Sequence, residues 1–283
     1  MKEFVVVTAW NRADFLHACL SRLLAADDGN IRYVLSLDRG HDRKVREVAS
    51  SFHRQIGRAT ILTPRHGYQG NSYNTLTALK FSLSQGADRV YLVEDDILVG
   101  SDFFSFHRDA HRLFPENLSV SACRNQFFPV EKDPAPDEET AYPHLSYQSL
   151  GVSFSRESLS RVVPHIHHGY LSNPVGYCRK TFPDSLINPA NAEQDGLIHR
   201  IGERDKLPTV YPCAPRAYHA GFTGYHRTGK RLLGTVEQKA EQILAMGTEE
   251  LNERAVSYKD HVAIDLDAPR KPLKEVRASA VPA

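Results

Sequence analysis

The chain has 283 residues, with 35 lysines and arginines against 34 aspartates and glutamates, a formal net charge of +1. That length suits one large α/β domain or two small ones, and the even charge balance removes any general attraction to nucleic acid or to an anionic membrane surface. Four scattered cysteines, Cys19, Cys123, Cys178 and Cys213, form no C-x-x-C pair, which argues against a zinc ribbon and against a disulfide framework.

The amino terminus runs directly into an apolar, β-branched stretch at 4–8 that predicts a strand. With no long hydrophobic segment there, neither a signal peptide nor a membrane anchor is expected, and the setting expected is the cytoplasm. A loop at 9–12 leads into a stretch at 13–24 with apolar residues at helical spacing. The pattern repeats as strand 33–37, loop 38–41, helix 43–52 and a short strand 60–62. Two successive βα units predict a parallel sheet. A polar, glycine-containing loop at 65–71 and a helix at 72–84 precede a further strand at 90–93.

Beyond it, a helix is expected at 101–113, a strand at 118–123, a proline- and acid-rich surface loop at 128–143, a strand at 150–154 and a helix at 156–163. His165, His167 and His168 lack the partner spacing of a zinc site and read as solvated loop residues. A helix at 192–201 and a strand at 209–211 lead to 220–230, where three glycines among basic and aromatic residues suit either a mobile lid or an ordinary surface loop. Helices at 236–246 and 249–256 and a loose tail from 268 complete the chain.

The strand at 90–93 ends in three consecutive carboxylates, Glu94, Asp95 and Asp96, and the apolar pattern resumes at Ile97, Leu98 and Val99. Acids placed at a strand terminus inside a core require a cation or donor groups. Carboxylate oxygens suit Mg²⁺ or Mn²⁺, whose remaining positions accept phosphate oxygens. The competing reading is an acidic turn on the surface. In open α/β sheets ligands bind at the carboxyl ends of strands, and the loops at 9, 38, 65 and 94 all fall on that edge.

Five segments in order carry a resemblance. Ala9-Trp10-Asn11-Arg12, Ser36-Leu37-Asp38-Arg39-Gly40-His41, Val93-Glu94-Asp95-Asp96 with Ser101-Asp102-Phe103-Phe104, Ser119-Val120-Ser121-Ala122-Cys123-Arg124-Asn125, and Pro215-Arg216-Ala217-Tyr218-His219-Ala220-Gly221 are similar to nucleotide-sugar glycosyltransferases of the GT-A fold. The chain most resembles the N-acetylglucosaminyltransferase I group, over roughly four fifths of its length and more loosely in the second half. The resemblance implies a Rossmann-like, mostly parallel sheet flanked by helices, with a mixed acceptor-side half and a carboxyl-terminal helical tail. It divides the chain into a nucleotide-sugar half at 1–100, an acceptor-binding and catalytic half at 101–231 with a lid at 219–231, and a tail at 232–283.

By that resemblance Asp38 binds the nucleobase, though an aspartate there is also placed to cap the next helix. Arg12 reaches the diphosphate, with Arg227 and Lys230 on the lid, while Glu94 and Asp95 face the ribose and the donor sugar. Asp96 holds Mn²⁺ or Mg²⁺, and His219 is the candidate second metal ligand. Neighbours on an extended chain point to opposite sides, so three consecutive acids cannot share one ion without a turn. The general base expected is Asp195, with Glu193 as the fallback. Here the chain departs from the family, having Gln194 before the aspartate and glycine after it, which bears on the acceptor pocket.

The implied activity is inverting, metal-dependent transfer of a hexosyl or N-acetylhexosaminyl group from a UDP-sugar to an acceptor hydroxyl. One alternative is a sugar-nucleotide-forming nucleotidyltransferase, disfavoured because loop 9–14 lacks the glycines of a phosphate-binding turn. Another is a non-catalytic nucleotide- or sugar-binding module. The acceptor stays open; near-zero net charge disfavours nucleic acid without excluding it.

Overall fold

The computed structural model describes residues 1–63, 70–124, 139–224, 227–229, 231–254 and 265–277. Strand Glu3–Ala9 (β1) is buried along its whole length and lies between Arg32–Leu37 (β2) and Arg89–Glu94 (β4), parallel to both. Ala13–Ala26 (α1) follows β1, Arg43–Ile56 (α2) follows β2, and Ala59–Leu62 (β3) pairs in parallel with β2. Asn71–Ser84 (α3) then leads into β4. These are the βα units expected from the periodicity, with α2 running one turn further than its apolar pattern suggests, to a left-handed Gly57.

The second half adds Ile97–Val99 (β5), Phe103–Leu113 (α4), Ser119–Ser121 (β6), Thr140–His144 (β7), Val152–Ser155 (β8) and Arg156–Val162 (α5). His168–Ser172 (α6), Pro174–Thr181 (α7), Gln194–Asp205 (α8), Thr209–Pro212 (β9), Ala217–His219 (β10), Thr223–Gly224 (β11) and Arg227–Thr228 (β12) come next. Val236–Ala245 (α9), Thr248–Arg254 (α10) and Glu275–Val276 (β13) close the described chain.

Nine strands form one sheet in the order β13-β7-β9-β6-β8-β4-β1-β2-β3. The β4-β1-β2-β3 part is wholly parallel; antiparallel β8 beside β4 opens the mixed half. Alternation along β1 separates two cores. Val5 and Val7 face α1, α2 and α4, whereas Phe4 and Val6 face α3, α5 and α8. The architecture is the α/β, Rossmann-like, mostly parallel arrangement expected, with helices α9 and α10 in the tail.

Two local expectations are corrected. Thr140–His144 falls within the segment read as a surface loop, yet it is a strand with Ala141 and Tyr142 buried, paired antiparallel with β9. Its partner lies some seventy residues away, which no local pattern reveals; 125–138 lie outside the described residues. The supposedly loose tail docks at the sheet edge, where β13 pairs in parallel with β7 and Leu273 is buried. In the histidine run His167 and His168 are exposed, in keeping with the solvated reading, and local bonds order the segment. His167 caps α6 by accepting from the Gly169 N–H at 3.1 Å, and His165 Nδ1 lies 2.8 Å from the Tyr177 hydroxyl.

Candidate active site

Strands β1, β2 and β4 end together, and their carboxyl ends carry the candidate residues. Thr8 is in register with Glu94, and the Asp95 N–H donates to the Thr8 carbonyl at 3.1 Å, so the acid triplet emerges beside the loop that holds Trp10 and Arg12. Asp95 and Asp96 then turn the chain sharply into β5. That turn supplies what an extended triplet lacks, because both carboxylates meet one guanidinium: Arg12 donates through Nη2 to Asp95 Oδ1 and through Nη1 to Asp96 Oδ2. Asp95 and Asp96 are 3 % and 2 % exposed, so the surface-turn reading fails for these two acids.

The strand pair β5–β10 closes the other side. Its register sets His219 against Ile97, and the Ala220 N–H donates to the Asp96 carbonyl at 2.8 Å. His219 Nε2 lies 3.0 Å from Asp96 Oδ2. Gly221 packs so tightly here that a Cβ built on it would sit 2.0 Å from Asp96 Oδ2, so any side chain there would displace the carboxylate. Arg12 Nη1 also points at the Thr223 carbonyl at 3.4 Å, tying β11 to the acids.

Asp38 leaves β2 one strand away. Its Oδ1 accepts from the Arg39 and Gly70 backbone N–H groups at 2.7 and 3.1 Å, while the cap of α2 is Asp42, which accepts from the Lys44 N–H at 2.7 Å. The capping alternative for Asp38 is thereby set aside. Trp10, 48 % exposed, is tethered beside this loop by its indole N–H, which donates to the Gly40 carbonyl at 3.2 Å.

Asp195 arrives on the opposite wall, in the first turn of α8, and is partly buried. The glycine that follows it has a packing reason: a Cβ on Gly196 would lie 2.0 Å from the Asn191 carbonyl. Arg200, itself buried, holds this bend by donating to the carbonyls of Asn191, Gly196, Ile187 and Asn188. Gln194 Nε2 donates to Asp195 Oδ1 at 2.5 Å, and the hydroxyl of Ser149, just ahead of β8, donates to Glu94 Oε1 at 3.4 Å. Glu193 is exposed at the helix cap and makes no capping bond with its side chain.

The electrostatics are those of a carboxylate cage short of cations. Burial, then repulsion from Asp96 and Asp195, raises Glu94 to about 7. Burial raises Asp95 to about 6 against the pull of Arg12, and burial together with Glu193 raises Asp195 to about 6 against the Ser149 hydroxyl. Asp96 is also penalised by burial, but Arg12 and His219 outweigh it and hold the group ionised well below the usual carboxylate range.

Asp96 Oδ1 is buried and has no hydrogen-bond partner among the described residues, a vacancy that suits a hard cation. Those residues contain no cluster of three or more histidine, cysteine or acidic side chains placed to enclose an ion. Asp96 and His219, 3.0 Å apart, are of residue types that can ligate a divalent cation, and two protein ligands would leave the rest of such an ion's shell to other oxygens. Arg12, Glu94, Asp95, Asp96 and His219 are thus brought together, with Asp195 near enough to repel the charge of Glu94 and Asp38 following the neighbouring strand β2. Arg227 contributes only its β12 backbone to the described structure, and Lys230 lies outside the described residues. Ser149, Arg200 and Gly221 were not picked out as site residues in the sequence. Their roles rest on contacts that span 55 residues for Ser149 and Glu94 and a close approach for Gly221, which no motif spells.

No family model matches the chain, and no curated protein matches it significantly. Among solved structures it is similar to the mannosyltransferase PcManGT from Pyrobaculum calidifontis in complex with GDP-Man and Mn²⁺, at 16 % identity and a TM-score of 0.45 over 56 % of this chain and 46 % of that one. It is likewise similar to S. aureus TarS 1-349 in complex with UDP-GlcNAc, at 14 % identity and a TM-score of 0.47 over 89 % of this chain and 64 % of that one. The chain thus spans about half to two thirds of these structures. Likenesses at this level carry no argument, and the functional reading rests on the residues described above. No helix of the described residues is long and apolar enough to cross a membrane.

Proposed function

We propose that this chain is a GT-A-type glycosyltransferase that moves a sugar from a UDP-sugar to an acceptor hydroxyl with inversion at the anomeric carbon. The observation that carries the reading is the convergence of Glu94, Asp95 and Asp96 around Arg12 at the carboxyl edge of parallel strands, with Asp195 near enough to Glu94 to repel its charge and Asp96 Oδ1 left unpartnered among the described residues.

In this reading Asp38, anchored through Oδ1, offers its other oxygen to the nucleobase, and the half-exposed Trp10 indole beside it gives the base a face to stack on. Glu94 and Asp95 accept hydroxyls of the ribose and the transferred sugar. Arg12 exchanges its carboxylate partners for the diphosphate, joined by Arg227 and Lys230. Asp96 and His219 would hold Mn²⁺ or Mg²⁺, which when bound neutralises charge on the leaving diphosphate. Asp195 takes the proton from the acceptor hydroxyl while that oxygen bonds to the anomeric carbon and the bond to the diphosphate breaks. Direct displacement with a single base inverts the centre. A carboxylate titrating near 6 is ionised, and still basic enough to accept a proton, at neutral pH. Glu193, two residues away, is the second candidate for the base.

The test is a thermal-shift screen of UDP-, GDP-, TDP- and CMP-sugars with and without Mn²⁺. Trp10, the single tryptophan of the chain, serves as an independent fluorescence reporter. Stabilisation and quenching by a UDP-sugar that depend on Mn²⁺ support the reading. A screen in which no nucleotide sugar stabilises the protein overturns it.

A further inference from the structure

We propose that Gln194 is the positioning residue of the base: its side-chain amide, donating to Asp195 Oδ1, holds that carboxylate in place and directs the incoming proton to Oδ2. The role of Asp195 as base rests on the glycosyltransferase reading; the amide's hold on the carboxylate does not.

The geometry starts in the first turn of α8. Gln194 and Asp195 are neighbours there in different surroundings, for Gln194 is 3 % exposed while Asp195 keeps partial access to solvent. The Gln194 backbone N–H is one of the helix-start donors that no carbonyl within α8 can satisfy. It donates to Ser72 Oγ, in the first turn of α3, at 3.0 Å. That turn follows Gly70, whose own N–H donates to Asp38 Oδ1 at 3.1 Å. The start of α3 thus anchors the glutamine backbone from the nucleotide half of the sheet. From this anchored position the side chain reaches one residue forward, and Nε2 donates to Asp195 Oδ1 at 2.5 Å.

The other end of the amide shows what the contact is for. Oε1 is buried and has no hydrogen-bond partner among the described residues. Leaving an amide oxygen buried and unpaired is unfavourable, so the amide does not hold this orientation for the sake of its oxygen. What the orientation achieves is to set a donor against the carboxylate. An amide NH₂ donates and cannot accept, so while it occupies Oδ1 a proton taken up by Asp195 sits on Oδ2. A hydrogen bond to the ionised carboxylate also favours that form. Glu94 from β4, Glu193 from the cap of α8, Tyr147 from the loop before β8, Tyr170 from α6 and Tyr211 from β9 are near enough for their charge to be felt at Asp195. All are acids or phenols, so each that ionises opposes charge there. Position 194 is where the chain departs from the family it resembles, and a neutral amide relieves the carboxylate where an acid would oppose it.

The experiment uses the full chain without any nucleotide. Aspartate ¹³C-carboxyl labelling and NMR follow the titration of Asp195, its resonance identified by its loss in Asp195→Asn. Glutamine ¹⁵N labelling follows the Gln194 side-chain amide, identified by its loss in Gln194→Leu or Gln194→Glu. In the wild type the Gln194 amide protons are expected to shift with the same midpoint as the Asp195 carboxyl, a response that a merely structural glutamine would not show. Gln194→Leu is expected to raise the Asp195 midpoint by about one pH unit, the loss of one hydrogen bond to a charged group. Gln194→Glu sets a second carboxylate against the first and raises the midpoint further. Wild-type amide protons that ignore the Asp195 titration overturn the proposal, and so does an unchanged midpoint in folded Gln194→Leu. The wild-type measurement decides the matter even where a variant fails to fold. Because no ligand is used, these outcomes are separate from failure of the nucleotide screen.

Discussion

Arg12 and Asp96 are joined directly, although they lie 84 residues apart, and the same guanidinium holds Asp95 through its other nitrogen. One cation thus answers two acids that are almost wholly buried. Removing one partner of such a pair leaves uncompensated charge in a low-dielectric site, at a cost of about 3 kcal/mol for buried pairs and less where, as here, the guanidinium keeps some exposure. Arg12→Ala is therefore expected to lower the melting temperature by several degrees. Mn²⁺ should recover part of that loss in Arg12→Ala and stabilise the wild type less in the absence of nucleotide. Equal Mn²⁺ responses in the two proteins would count against Asp96 as a cation site that Arg12 shares.

Gly221 gives a steric test of the same place. Gly221→Ala puts a carbon where Asp96 Oδ2 lies, so the carboxylate must move. The variant is expected to lose Mn²⁺-dependent stabilisation by nucleotide sugar. Gly247→Ala, where an added Cβ meets nothing within 4 Å, is the matched control and should behave as wild type.

Asp195→Asn keeps shape and removes the base. Transfer to an acceptor is expected to fall by about 10²- to 10⁴-fold while nucleotide-sugar binding, read by Trp10 fluorescence, is retained. In the wild type the rate should rise with pH through about 6, as the carboxylate ionises. Retention of full activity in Asp195→Asn would move the base to Glu193.

A pH effect on stability comes from the far side of the sheet. His107 Nδ1 and His111 Nε2 both lie against Ser153 Oγ, at 2.7 and 2.9 Å, inside the core between α4 and β8. Burial, followed by neighbouring positive charge, depresses both imidazoles, His111 to about 3. An unfolded histidine takes up its proton near 6.5, so between 6.5 and 3 the unfolded chain binds more protons and stability falls as the pH drops. Glu94, Asp95 and Asp195 titrate in part of this range with the opposite sign, so the comparison must be differential. His111→Gln is expected to lose less stability than wild type between pH 7 and pH 5, measured as the urea midpoint. Equal losses would remove His111 as a source of the dependence.

The sequence by itself determined the first half of the fold and the composition of the site. Its apolar periods in 4–94 are local, continuous or alternating in the strands and helical between them, so β1 to β4 and the acid triplet on their edge were legible, although the return of β4 to pair with β1 was not. Tertiary structure decided the rest. Strand β7 and the docked tail are stabilised by partners distant in the chain, and their short segments carry no period of their own. Likewise the meeting of Arg12 with two turned acids, the approach of Gly221 to Asp96 and the reach of Ser149 to Glu94 are distances between elements. Burial at those meeting points, which turns ordinary acids into a site with raised and lowered proton affinities, exists only once the sheet has closed.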